Sequence, residues 1–168
     1  MFDPPGPVLG IDPGLSRCGY GVVAREGGKL RALSAGVIRT PPSFEVPARL
    51  GILDEELTDL ILQVRPGVVV VERVLFQANV RTAMSVGQAS GVALVIASRA
   101  NIPVVQYSPN EVKLAVTGDG RADKVAVQTM VMRLLALKEV PKPPDAADAL
   151  ALACCHLGRA RMMQQVSR

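Results

Sequence analysis

Residues 8–21 read VLGIDPGLSRCGYG, and the fold turns on how that stretch is taken. An apolar run ends on Asp12, Pro13 and Gly14 follow at once, and Gly19 and Gly21 lie further on. This is the pattern of a buried strand, a tight turn, and the second strand of an antiparallel hairpin. A carboxylate at the end of a buried strand needs a cation, a basic side chain or a hydrogen-bond network, because an unpaired buried charge is costly. What Asp12 meets is the question for the rest of the chain.

Outward from that stretch, residues 19–25 continue as strand two. Gly27-Gly28 is a hairpin turn signal, and residues 30–39 read as a third antiparallel strand. Pro41, Pro42 and Pro47 mark a loop. Over residues 47–64, Leu50, Leu53, Leu57, Leu60, Ile61 and Val64 share one helical face, and Asp54, Glu55, Glu56 and Asp59 take the solvated one. Pro66-Gly67 breaks that helix. Residues 68–71 are four consecutive valines, the mark of a strand buried on both faces with a parallel neighbour in a helix-covered sheet. Glu72 ends this strand as Asp12 ends the first.

Residues 82–100 form a long helix of small and apolar residues. Its Gly87 and Gly91, four apart, permit close packing, either within the chain or at a homodimer seam. Residues 102–107 are a short strand. Ser108-Pro109-Asn110-Glu111 is a good helix start, and Lys113 follows in that helix. Residues 122–137 form an amphipathic helix with Lys124 near its start and Val125, Met130, Val131, Leu134 and Leu135 available to the core. A proline-rich linker, 141–144, leads to a last helix opening at Asp145. Residues 1–7 read as a loose arm and 159–168 as a frayed tail of one α/β domain spanning 1–168, with three antiparallel strands and two parallel ones.

At 168 residues one domain is the default, and 49% hydrophobic residues suffice for a core. No run reaches the length and apolarity of a membrane span, and the N-terminus has neither a basic region nor a secretory apolar core. A cytoplasmic protein is the expectation. Cys18, Cys154 and Cys155 lack metal-finger spacing and read as small buried hydrophobes. The net charge of +4 is uneven: residues 1–60 hold six Lys/Arg against eight Asp/Glu, and the rest thirteen against seven. A basic second half is compatible with a polyanionic partner.

Asp145 and Asp148 lie three apart at a helix start, so both carboxylates share one face. Asp145 alone reads most simply as a helix cap, whereas an inward Asp148 on an Ala/Leu helix needs a reason. Three elements thus offer acids: Asp12, Glu72, and Asp145 with Asp148. Functional groups collect beyond the carboxyl ends of parallel strands, and oxygen-rich sites suit Mg²⁺ or Mn²⁺. Two such ions can support phosphodiester hydrolysis. His156 is the only histidine and reads as structural or surface rather than catalytic. Phosphate-loop and serine-elbow motifs are absent from the sequence.

GIDPG at 10–14 with GYG at 19–21, VERVLF at 71–76, GQASGVAL at 87–94, YSPNEVK at 107–113 and DAADALALA at 145–153 resemble, in order and at compatible spacing, the RuvC family of Holliday junction resolvases. The resemblance implies a ribonuclease-H-like fold, a mixed five-stranded sheet flanked by helices on both faces. It implies a homodimer that nicks two strands of a four-way DNA junction symmetrically with Mg²⁺, leaving 5′-phosphate ends, and that works with a branch-migration motor. The family's four acids fall on Asp12, Glu72, Asp145 and Asp148, and some members carry His where Asp145 stands. Two basic positions fall on Lys113 and Lys124, expected on DNA phosphate, with Lys124 near the scissile group. Arg81 and Arg121 are further candidates for backbone contact. A loop aromatic that wedges between bases falls at Leu75, with Phe76 next, so Phe76 becomes the candidate wedge.

Three other readings compete. An actin-like ATPase or kinase opens similarly but needs a second related domain, for which 168 residues leave no room. A non-catalytic junction-binding module would have no use for all four acids. Another ribonuclease-H-like nuclease, acting on RNA–DNA hybrid or single strands, is not separated by charge.

Overall fold

The computed structural model describes residues 6–73 and 80–166, the last six by backbone alone. The elements run β1 (Val8–Asp12), β2 (Arg17–Glu26), β3 (Lys29–Arg39), α1 (Val46–Val64), β4 (Val68–Glu72), α2 (Val80–Arg99), β5 (Val104–Tyr107), α3 (Pro109–Thr117), α4 (Lys124–Leu134) and α5 (Pro144–Val166). The five strands form one sheet in the order β3-β2-β1-β4-β5. β1 pairs antiparallel with β2 and parallel with β4, and β4 pairs parallel with β5. The β2–β3 turn is the two residues Gly27 and Gly28, at φ 56° and 80°, the left-handed pair that a type I′ hairpin turn requires.

Strand alternation sorts the core into two layers. Leu9, Ile11, Val69 and Val71 pack with Leu53, Leu57 and Ile61 of α1 and Ala89, Ala93 and Ile96 of α2. Val8, Val68, Val70 and Tyr107 pack on the other face with Val112 of α3, Val127 and Val131 of α4, and Leu150 and Leu152 of α5. All four valines of β4 are 0–1% exposed, as a central strand covered on both sides demands. Cys18, Cys154 and Cys155 are buried in these layers with free thiols, and burial pushes each up to about 12.

Three expectations are corrected. α5 continues to Val166, so helix occupies 159–166 where a frayed tail was expected. Its path there is tied by Arg159, which pairs with Glu111 at 3.2 Å. α2 is long and apolar enough, at mean hydropathy 1.3, to meet the criterion for a membrane span. One face of α2, with Ala89, Ala93, Ile96 and Ala97, is buried in the core with α1 and the sheet, while Val80, Met84 and Val95 are exposed. In α4, Val125 and Leu134 are 69% and 40% exposed; Val131 and the cap residue Leu135 are buried as expected, and Val127 joins them. The Asp123 side chain caps the helix by accepting from the Ala126 N–H, and packing on α3 and α5 selects the adjacent face.

Candidate active site

Asp12 and Glu72 are the last residues of β1 and β4, one step beyond the final β1–β4 pair Ile11–Val71, and they pair outward with Gly19 of β2 and Tyr107 of β5. Period-two alternation puts them on the face of Val8 and Val68, the side covered by α5. α5 reaches the sheet there because three glycines leave it room. A Cβ on Gly10 would lie 2.1 Å from the Ala149 carbonyl oxygen, on Gly19 2.2 Å from that of Asp145, and on Gly21 2.6 Å from the Leu150 nitrogen. The first turns of α5 therefore lie directly on β1 and β2, and Asp145 and Asp148 come down beside Asp12.

The electrostatics record that convergence. Asp12 is pushed up from an ordinary 3.8 to about 7, by burial first and then by the charges of Glu72, Asp148 and Asp145, with Lys124 opposing. Burial and the charge of Asp148 also raise Glu72, while Lys124 and Lys113 pull it down. The Lys124 ammonium, at the start of α4, lies 2.8 Å from Asp148 Oδ2, and that hydrogen bond holds its pKa above the usual lysine value. Glu72, Lys113, Lys124 and Asp148 line one cavity of about 220 Å³, floored by Val112, Val127 and Leu152. Asp145 is the second residue of α5 rather than its cap, and Arg17 holds it, Nε at 2.9 Å and Nη2 at 2.7 Å from Oδ2.

Among the described residues no three acidic side chains close into a ready-made metal group, since Arg17 and Lys124 engage two of the four. The donor chemistry fits a hard divalent ion all the same. All four donors are carboxylates, and burial, followed by the neighbouring acids, disfavours the ionised Asp12 in the absence of a cation. Mg²⁺ takes few carboxylates and keeps water and substrate phosphate as its other ligands, so an open set suits it.

The structure thus brings together Asp12, Glu72, Asp145, Asp148, Lys124 and Lys113. Arg121 is exposed in the α3–α4 turn, its N–H bonded to Asp119 Oδ1 at 2.8 Å. Arg81 sits elsewhere, lining a hollow with Leu15, Val80 and Met84. Leu75 and Phe76 lie outside the described residues. His156 shares a 3.0 Å hydrogen bond with the Tyr107 hydroxyl. Sequence reasoning missed Arg17. Its signal was parity: Arg17 shares the α5-facing side of β2 with Gly19 and Gly21.

A family model described as crossover junction endodeoxyribonuclease RuvC matches residues 8–156. The crossover junction endodeoxyribonuclease RuvC of Salinispora arenicola is 58% identical over 153 residues, 90% of this chain and 87% of that protein. The structure of Thermus thermophilus RuvC superposes at TM-score 0.87 with 41% identity, covering 94% of this chain and 96% of that one. T. thermophilus RuvC in complex with Holliday junction substrate superposes at 0.88, with the same identity and coverage. The mixed five-stranded, ribonuclease-H-like sheet with helices on both faces is the fold that these proteins share with this one. The chain belongs to the RuvC family of crossover junction endodeoxyribonucleases.

Proposed function

We propose that this chain, as a single nuclease domain, resolves four-way DNA junctions in recombination and repair by symmetric, magnesium-dependent nicking of two strands, leaving 5′-phosphate ends. The observation that carries the reading is the convergence of four acids at one sheet end, where Asp12 is raised to about 7 by burial first and then by the charges of Glu72, Asp148 and Asp145. The junction as substrate is supported by likeness to the T. thermophilus protein, which is described in complex with a Holliday junction.

Asp12, Glu72, Asp145 and Asp148 would hold the metal, two ions per site, with Mn²⁺ able to replace Mg²⁺. Bound there, the metal supplies Lewis-acid activation of water and neutralises phosphate charge. Lys124 stays cationic through its bond to Asp148 and offsets charge developing on the scissile phosphate. Lys113, at the same cavity, binds DNA phosphate. Arg121 and Arg81 extend that contact, and Phe76, with Leu75 before it, enters the junction.

The working unit is a homodimer in the cytoplasm, engaged with a branch-migration motor. The dimer seam is α2, whose Val80, Met84 and Val95 are exposed apolar residues and whose Gly87 and Gly91 have nothing within 4 Å of an added Cβ. Gly91→Trp should shift sedimentation toward monomer, and an unchanged dimer would place the seam elsewhere. The reading as a whole is tested by cleavage of a synthetic four-way junction with Mg²⁺, Mn²⁺ or Ca²⁺, with linear duplex and RNA–DNA hybrid as controls. Junction cleavage in Mg²⁺ and Mn²⁺, with duplex spared, is the expected result. Equal cleavage of hybrid would favour a broader ribonuclease-H-like nuclease.

A further inference from the structure

We propose that Arg17 is a positioning residue for Asp145, anchoring one carboxylate oxygen so that the other is presented to the metal. The inference rests on the metal-nuclease reading above. Both guanidinium contacts, at 2.7 and 2.9 Å, go to Oδ2, and Oδ1 has no partner among the described residues. A carboxylate in the first turn of a helix, facing Asp12 and three residues from Asp148, is repelled by its neighbours. With no anchor it turns outward to solvent. The guanidinium fork holds it in place through two donors at a fixed angle, which a flexible ammonium does not reproduce.

The anchor is itself held. Arg17 is the first residue of β2 and pairs in register with Arg39. The loop before it is tied to α1 through Thr40, only 4% exposed. Thr40 Oγ1 donates to the Leu15 carbonyl at 2.6 Å, and the Thr40 N–H donates to the Ser16 carbonyl at 3.3 Å. Arg49 of α1 donates to Thr40 Oγ1 at 2.9 Å and to Ser16 Oγ at 2.6 Å. On the other side, the Asp145 backbone is pressed against Gly19. With both backbones fixed, the guanidinium sets the remaining freedom, the torsion of the Asp145 side chain.

The test compares full-length wild type with Arg17→Ala and Arg17→Lys in three measurements: the Mg²⁺ concentration that half-saturates the rise in Tm, junction cleavage resolved into kcat and KM, and metal-free junction binding across salt. Arg17→Ala should raise the Mg²⁺ midpoint and lower kcat, each about tenfold, the scale seen when the partner of a metal ligand is removed. KM and metal-free binding should stay unchanged, and Arg17→Lys should recover part of both losses. In an Asp145→Asn background, Arg17→Ala should add nothing. A wild-type Mg²⁺ midpoint and kcat in Arg17→Ala would overturn the proposal and leave a solvent-exposed ion pair. Weaker metal-free binding with a shallower salt slope would also overturn it and assign Arg17 to DNA phosphate. A wild type that itself shows no Mg²⁺ response removes the metal-nuclease reading, and this proposal with it.

Discussion

Gly10 and Gly21 are register partners across β1 and β2, and the backbone of α5 rests on both. The pair is a floor for the helix that carries Asp145 and Asp148. Any side chain there lifts the helix and separates its acids from Asp12.

Gly10→Ala puts a methyl 2.1 Å from a backbone oxygen of α5, where no side chain can move aside. We expect a loss of about 2–3 kcal/mol in urea unfolding, the scale of an overpacked core, with cleavage falling further than stability. Gly51→Ala is the control. Gly51 is exposed on α1 with nothing within 4 Å of an added Cβ. The swap should be neutral or stabilise by up to about 1 kcal/mol. Equal behaviour of the two variants would remove the floor from the account.

Asp12→Asn should abolish cleavage, keep junction binding, and stabilise the metal-free protein at neutral pH. The folded carboxyl titrates near 7 and the unfolded one near 3.8. Below both values the folded state suffers no penalty. As pH rises from about 4 to 7 the unfolded chain ionises first, and stability is lost. The gain in Asp12→Asn should therefore be absent at pH 4 and reach roughly 2–4 kcal/mol at pH 8. Mg²⁺ should reverse the ranking by stabilising only the wild type. Thermal melts at the two pH values, with and without Mg²⁺, read all of this.

Lys124→Met separates chemistry from stability. The Lys124–Asp148 pair is partly exposed, so the metal-free fold should change by less than about 1 kcal/mol. Single-turnover cleavage should fall on the order of 10²-fold, the scale of losing one charge-stabilising donor. A variant with wild-type cleavage would return Lys124 to a solvated helix lysine.

Glu111 joins three elements. It closes the capping box of α3 with Ser108, pairs with Arg159 of α5 at 3.2 Å, and lies 3.8 Å from Arg73, the residue after Glu72. Glu111→Gln keeps the capping-box geometry but loses the pairs with Arg159 and Arg73, so it should lose less than about 1 kcal/mol at neutral pH and reduce cleavage through Glu72. The Ser108 backbone N–H, followed by the Arg159 contacts, holds this carboxyl below the usual glutamate range. Its contribution is present above the ordinary 4.5 and fades as pH falls through the lower folded value. The difference between wild type and variant should therefore shrink in acid, as denaturation at pH 7 and at strongly acidic pH would show.

Some of this was settled by sequence alone, because its causes are local. The valine run 68–71 can only be a doubly covered strand, and Gly27-Gly28 sets the β2–β3 turn by its backbone freedom. Asp12 and Glu72 are read at strand ends from where apolar runs stop, and Asp145 and Asp148 share a face by helical spacing. Tertiary structure decided the rest. Val125 and Leu134 belong to an apolar pattern as good as that of Val127 and Val131, and only docking on α3 and α5 chose between the faces. Arg17 and Asp145 stand 128 residues apart, beyond the reach of any local pattern. The glycines at 10, 19 and 21 read as hairpin residues until α5 lies on them, because sequence spacing shows which face a residue takes and not what will be packed against it. The acids were legible one by one, and their shared site exists because the backbone of α5 can touch the sheet.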